Sequence, residues 1–201
     1  MKSKNIIVGI TGGIAAYKSA QLVRALKKAG ANVRVIMTQT AQSFIAPLTL
    51  QALSGEEVRD SIIDPKAEAA MGHIELARWA DLIVIAPASA NVISELAQGS
   101  ANHLLTTVYL ASSAPCVICP AMNKHMWAKE VVQRNIKTIK QLGIECIGPA
   151  NGEQACGDVG LGRMSEVDDI VAQLPQYFQS TELAGKKVVL TLGPTREYLD
   201  P

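Results

Sequence analysis

Apolar runs of strand length recur along this chain, each followed by a segment of helical periodicity, and this alternation restricts the fold more than any single residue does. The runs are Asn5–Ile10, Val33–Met37, Asp81–Pro87, Ala114–Cys119 and the shorter Ile144–Gly148. Asn5–Ile10 is a continuous apolar run, the mark of a strand buried on both faces rather than one, and Ala114–Cys119 also reads as a buried strand. Helical patterns follow: to Ala29 with Leu22, Val23 and Leu26 on one face, Ala41 to Leu53 interrupted at Pro47, and His73 to Ala80. Further patterns cover Ile93–Ala97, Leu104–Ala111, Lys129–Leu142 and Val167–Phe178, and Gly30 is a C-cap candidate. Strands alternating with helices across short turns imply right-handed crossovers and a parallel sheet with helices on both faces. The predicted fold is α/β, a doubly wound parallel sheet in a flavodoxin-like/Rossmann-like three-layer sandwich.

The unit spans residues 1–178, with a polar, turn-rich stretch from Gly55 to Gly72 as its longest irregular part. Residues 179–185 read as a linker. Lys186–Leu192 is a new apolar strand with no companion units, so residues 186–201 read as the start of a truncated second domain.

The chain of 201 residues is 48% hydrophobic and 18% charged, enough to bury a core and too apolar for disorder. With a net charge of +1 and no basic run longer than Lys27-Lys28 or Lys186-Lys187, nucleic acid is excluded as the main partner, since phosphate neutralisation needs a clustered basic face. No apolar stretch reaches the ~20 residues of a membrane span, and the amino terminus has no signal cleavage pattern, so a cytoplasmic location is expected. Cys116-Val-Ile-Cys119 matches C-x-x-C, but residues three apart on a strand face opposite ways and no second ligand pair stands at zinc spacing. Both cysteines are expected in the core, with no metal.

Gly12 and Gly13 lie between the first strand and first helix, where backbone N–H groups and the helix dipole favour an anion. The order Gly12-Gly13-Ile14-Ala15-Ala16 departs from the dinucleotide fingerprint, and Met37-Thr38-Gln39-Thr40 supplies no carboxylate for a ribose diol. Gly12 with Lys18-Ser19 approaches a P-loop, but Tyr17 stands where its second glycine belongs. NAD and ATP are therefore disfavoured, and the Thr38 hydroxyl suits a monophosphate. A second strand end, Pro87-Ala-Ser89-Ala90-Asn91-Val92, offers small and hydrogen-bonding residues that let a flat ring approach the backbone. A third, Pro120-Ala121-Met122-Asn123-Lys-His-Met126-Trp127, sets an amide, two methionines and an indole at the carboxyl end of a central strand. Ligands bind at such strand ends in open α/β sheets. The combination fits a mononucleotide with a planar ring system, such as a flavin.

Taken together, Thr11–Lys18, Gly72-His73, Pro87–Asn91, Pro120–Trp127 and Ala155-Cys156-Gly157-Asp158 running on to Gly162-Arg163-Met164 resemble the homo-oligomeric flavin-containing cysteine decarboxylases. Within them the chain is similar to the decarboxylase half of the bifunctional bacterial phosphopantothenoylcysteine decarboxylase/phosphopantothenate–cysteine ligases of coenzyme A biosynthesis. The resemblance covers residues 5–178, and Gly193-Pro-Thr-Arg-Glu looks like the opening of the ligase half. It implies FMN as cofactor, held by Gly12, Gly13, Ile14, Thr38, Ser89, Ala90, Asn91, Val92 and Ala121. Val92 departs from the pattern, since many relatives carry Thr there and a hydroxyl contact is lost. His73, Asn123 and Cys156 would be catalytic: His73 beside the flavin in the oxidative half-reaction, Asn123 on the substrate carboxylate, Cys156 as proton donor. Met122 and Arg163 would join Asn123 in binding the substrate, Arg163 at its phosphate. The resemblance further implies phosphopantothenoylcysteine as the small-molecule substrate and self-association as a trimer or dodecamer, with FMN at a subunit interface. Mg2+ and CTP would serve only the missing ligase half. Flavin prenyltransferases and phosphatase-binding regulatory subunits share the resemblance more weakly, because His73, Asn123 and Cys156 occur together here.

The implied chemistry explains the residue types. An N-acylated cysteine carboxylate cannot lose carbon dioxide directly, because the resulting carbanion has no electron sink. Hydride removal from the carbon bearing sulfur gives a thioaldehyde, carbon dioxide then leaves into an enethiolate, and hydride return with a proton completes a redox-neutral cycle. A histidine handles protons near neutral pH. An asparagine binds a carboxylate without the full charge that would oppose its departure. A cysteine in the glycine-rich 154–163 stretch, read as a loop and movable flap, is placed to be a general acid.

Overall fold

The computed structural model describes residues 1–62 and 72–178, with Gly193 beyond them. The predicted linker 179–185 and second-domain segment 186–201 lie outside the described residues, Gly193 apart, as does 63–71 of the irregular stretch. Strands β1 (Asn5–Ile10), β2 (Asn32–Met37), β3 (Leu82–Ala88), β4 (Cys116–Pro120) and β5 (Glu145–Cys146) form one sheet in the order β2-β1-β3-β4-β5. Every pairing in it is parallel. The predicted doubly wound α/β fold is thus observed.

Helices cover both faces. On one side α1 (Ala16–Lys28) packs with α2 (Pro47–Ser54) and α8 (Val167–Gln173) over Ile6, Val8 and Ile10. On the other, α3 (Gly72–Trp79), α4 (Ala90–Gln98), α5 (Leu104–Ala111) and α7 (Glu130–Gln141) enclose Ile7, Ile83 and Ile85. Alternate residues of β1 therefore feed separate cores, which is why its sequence is apolar throughout. All of β3 is buried. Each fully buried Ile, Leu or Val contributes roughly 1.5–3 kcal/mol of transfer free energy. Cys116 and Cys119 fall in opposite cores, as their spacing requires.

Several local expectations change. Pro47 begins α2 at its first turn rather than interrupting a helix, because the N–H it lacks would have no partner there. The helix expected from Ile93 starts at Ala90, since Ser89 Oγ caps it by accepting the Val92 N–H at 3.4 Å. Residues 124–127 add a single turn, α6 (Lys124–Trp127), ahead of α7. The last sheet strand shrinks to Glu145–Cys146, which among the described residues pairs only with β4. The last helix ends at Gln173 and continues as a 3-10 segment, Leu174–Phe178.

The largest difference is in the glycine-rich stretch before Met164. Instead of a loop it forms an antiparallel hairpin, β6 (Ala150–Glu153) and β7 (Val159–Arg163). Glycine is depleted in strands on average, so its density there disguised the hairpin. The order β2-β1-β3 also reverses direction at β1, the topological switch point of the sheet, and the carboxyl ends of β1 and β3 flank a crevice.

Candidate functional site

Buried hydrogen bonds tie together the two loops at that crevice. The Thr11 hydroxyl, 0% exposed, donates to the Pro87 carbonyl at 2.8 Å and accepts the Ser89 N–H at 2.8 Å. Ser19 Oγ donates to the Ala86 carbonyl at 2.7 Å. Gly12 is required by close approach, because a Cβ there would lie 2.5 Å from the Thr40 methyl; a Cβ on Gly13 would meet nothing within 4 Å. Ala15 caps α1 with no side-chain bond, and the first turn of α1 carries no acid. The N–H groups of Gly13, Ile14 and Ala15 have no hydrogen-bond partner among the described residues. A helix end with free donors and no acid in its first turn favours a negatively charged group by its electrostatics.

Asn123 is set by α6. Its Oδ1 accepts the His125 N–H at 2.8 Å as the N-cap of that turn, which fixes the amide orientation. Nδ2 is left facing the β6–β7 hairpin, where it donates to Asp158 Oδ2 at 3.0 Å and to Cys156 Sγ at 3.5 Å. The Cys156 thiol in turn donates to Asp158 Oδ2 at 3.5 Å, and Lys124 Nζ pairs with Asp158 Oδ1 at 3.0 Å. Lys124, Asn123 and Cys156 together hold the Asp158 carboxyl down at about 2.

The hairpin is fastened to this turn through its backbone. The Met122 N–H donates to the Gly162 carbonyl at 2.9 Å, and Gln154 Oε1 accepts the Lys124 N–H at 3.0 Å. Gly162, at φ +139, makes this contact possible: a Cβ would run into the Met122 carbonyl and lie 2.6 Å from Gln154 Nε2. Bonds from Gln154 N to the Asp158 carbonyl and from Gly157 N to the Gln154 carbonyl, both 2.8 Å, close the turn that carries Cys156. At the hairpin's other end Arg163 Nη2 lies 2.7 Å from Glu166 Oε1. The same oxygen accepts from the buried Lys18 Nζ at 3.0 Å. Lys18 above all, with a minor contribution from Arg163, holds the Glu166 carboxyl below its ordinary range against the opposing effect of desolvation.

These elements enclose an open cavity of about 670 Å³ between the glycine loop, the start of α4, the 121–123 segment and the hairpin. Of the predicted residues, Gly12, Gly13, Ile14, Ser89, Ala90, Ala121, Met122, Asn123, Cys156 and Arg163 line it. Four do not. Thr38 sits at the end of β2 with its hydroxyl donating to the Ile10 carbonyl at 3.5 Å. Asn91 is exposed on α4 and bonds Glu95 at 3.1 Å. Val92 is buried in the core beneath α4. His73 lies on α3, with its Nδ1 buried and without a hydrogen-bond partner among the described residues. Sequence reasoning gave no site role to Lys18, Gln154, Asp158 or Glu166. In the sequence Lys18 stands only in the P-loop comparison and at the end of the Thr11–Lys18 motif; its burial, 4% exposed, is a tertiary property.

The family model described as Flavoprotein matches residues 1–179. The coenzyme A biosynthesis bifunctional protein CoaBC of Vibrio vulnificus is 55% identical over all 201 residues, which cover 50% of that protein. The CoaBC proteins of Haemophilus influenzae and Escherichia coli are 54% and 48% identical, again over the whole chain and 50% of their own length. The chain thus spans about half the length of the curated relatives it matches. Among solved structures, a PPC decarboxylase variant complexed with pantothenoylaminoethenethiol superposes with a TM-score of 0.78 at 31% identity, over 89% of this chain and 100% of that one. The FMN-dependent cysteine decarboxylase SpaF gives 0.74 at 30% identity, over 87% of this chain and 97% of that one. The parallel sheet with its glycine loop at the switch point, matched by the Flavoprotein model over residues 1–179 and by relatives 48–55% identical over the whole chain, places the chain in the Flavoprotein family.

Proposed function

We propose that this chain is the FMN-dependent decarboxylase that converts 4'-phosphopantothenoylcysteine to 4'-phosphopantetheine in coenzyme A biosynthesis, and that it forms the first part of a bifunctional decarboxylase/ligase. The observation that carries this reading is the approach of the Asn123 amide nitrogen to the Cys156 thiol, 3.5 Å, at the edge of a cavity shared with the glycine loop. A carboxylate-binding donor and a thiol acid are thereby brought to one point from elements 33 residues apart.

The cavity fits FMN. The free N–H groups at the start of α1 suit its phosphate, the open side of Gly13 leaves room for it, and Ser89, Ala90 and Ala121 keep the opposite wall low for a flat ring. When bound, FMN supplies the hydride acceptor and donor that cysteine decarboxylation requires. Asn123 Nδ2 orients the substrate carboxylate, and the absence of a formal charge on the amide leaves carbon dioxide free to depart. Cys156 Sγ–H delivers the proton at the end of the cycle. Arg163 faces the substrate phosphate from the cavity wall, with Glu166 fixing its guanidinium.

His73 does not line the cavity of its own chain, so its proposed role beside the flavin calls for an assembled trimer or dodecamer whose sites lie between subunits. Exposed apolar side chains beside the glycine loop, Ile14 at 62% and Tyr17 at 53%, suit burial in such an interface. The linker at 179–185 and a CTP- and Mg2+-dependent ligase beginning at 186–201 complete the reading, with a cytoplasmic location. No helix among the described residues is long and apolar enough to cross a membrane. The test is stoichiometric carbon dioxide release from phosphopantothenoylcysteine by the FMN-loaded protein; purified protein that binds flavin and releases none overturns the assignment.

A further inference from the structure

The Asn123 amide is fully committed before any substrate arrives. Its oxygen is used by the His125 N–H, and its NH2 group faces Asp158 Oδ2 and Cys156 Sγ. An NH2 group has two hydrogens to give, so an incoming carboxylate must displace one of these acceptors. The stronger of the two is the ionised carboxylate, 3.0 Å away against 3.5 Å for the thiol. Asp158 differs from a passive neighbour in having a second partner: its other oxygen pairs with Lys124 Nζ at 3.0 Å. Lys124 directly follows Asn123, so Asp158 can yield the amide and remain attached to the same turn. The thiol travels with it, because Cys156 and Asp158 share the closed turn built on Gln154.

We infer that the Asp158 carboxylate occupies the Asn123 amide as an internal competitor for the substrate carboxylate, and that Lys124 is the residue that retains Asp158 when the substrate takes its place. Asp158 is a positioning residue here: it carries Cys156 to Asn123 and sets the cost of substrate entry. The inference rests on the carboxylate-binding role of Asn123 proposed above. Physically, the apparent affinity of a site blocked by an internal group is reduced by the fraction of molecules in which it is open.

The two partners must then shift substrate binding in opposite directions, which a purely structural pair would not do. In the FMN-loaded protein, D158N replaces a charge-assisted contact with a neutral one and is expected to lower KM for phosphopantothenoylcysteine at least threefold. K124M removes the retaining cation, leaving Asp158 to Asn123 and the Cys156 thiol, and is expected to raise KM at least threefold. Inhibition by 4'-phosphopantetheine, the product without a carboxylate, is expected to stay within twofold of the unsubstituted protein in both variants. An unchanged or raised KM in D158N overturns the inference, as does a folded, flavin-bound D158N that releases no carbon dioxide. Equal shifts in product inhibition overturn it too, since the effect would not be specific to the carboxylate. Loss of carbon dioxide release by the unsubstituted protein would instead strike at the decarboxylase assignment, so the two failures are distinguishable.

Discussion

Lys18 and Glu166, 148 residues apart in sequence, meet in an ion pair of 3.0 Å whose ammonium is buried and whose carboxylate is more than half exposed. Lys18 Nζ also donates to the Met164 carbonyl at 3.1 Å, so the first helix after the glycine loop is strapped to the exit of the hairpin. E166Q leaves that buried ammonium without its counter-ion and is expected to destabilise the fold by roughly 1–2 kcal/mol, below the usual range for broken buried pairs because the carboxylate is solvent-screened. Urea unfolding checks this as a lower midpoint with an unchanged slope.

Asn123→Asp separates folding from binding. Aspartate is as good an N-cap as asparagine, so the bond to the His125 N–H and the α6 turn are expected to persist. The donor toward the hairpin is replaced by an acceptor facing Asp158 and, in the proposed role, the substrate carboxylate, and like charges repel. We expect flavin to remain bound while carbon dioxide release falls at least a hundredfold, and full activity would exclude Asn123 as the carboxylate ligand.

Cys156→Ser removes the acidic thiol and leaves the Asn123 donor in place. Carbon dioxide release is expected to continue, with the unsaturated enethiol accumulating in place of the saturated product. Mass spectrometry of the products reads this directly; a normal saturated product at the normal rate would remove Cys156 from the mechanism.

The four cysteines are expected to divide by environment. Cys156 is exposed in a polar turn, whereas Cys116 and Cys119 are buried in opposite cores. Burial pushes the Cys116 thiol up to about 12, and Cys119 rises for the same reason. Burial also raises Cys146 to about 11, partly offset by Lys140. Thiolate is the reactive form, so a disulfide reagent at pH 8 should label Cys156 first and Cys146 slowly. Cys116 and Cys119 should react only after unfolding, and rapid labelling of either would contradict their placement.

Asp158 gives a pH prediction with a definite sign. Its folded carboxyl titrates at about 2, below the ordinary 3.8, because Lys124, Asn123 and Cys156 favour the charged form. The contribution of these contacts is full above the unfolded value and is lost as pH falls through the folded one. Side-chain carboxyl titration by NMR should therefore find Asp158 still ionised at pH 3. In K124M its midpoint should move up toward the ordinary value.

The parallel α/β fold was legible in the chain because runs such as Asn5–Ile10 must be covered on both faces, and that demand is local. The opposite burial of Cys116 and Cys119 followed from strand period alone. The hairpin was not legible: Gly160 and Gly162 weaken a strand pattern, and Gly162 is there for the Met122 carbonyl, which sequence does not bring near. Likewise Asn123 could be singled out from its place after a strand, but its partners could not. Asp158 and Cys156 reach it only when the hairpin docks on α6, just as Lys18 meets Glu166 only when α1 and α8 share a sheet face. Sequence by itself determined which segments must be buried and which strand ends would be rich in donors, since burial and period are properties of neighbours along the chain. Only the tertiary structure decided that the 120–127 stretch presents an amide already occupied by a carboxylate, because hydrogen bonds between distant elements depend on distance and direction in space.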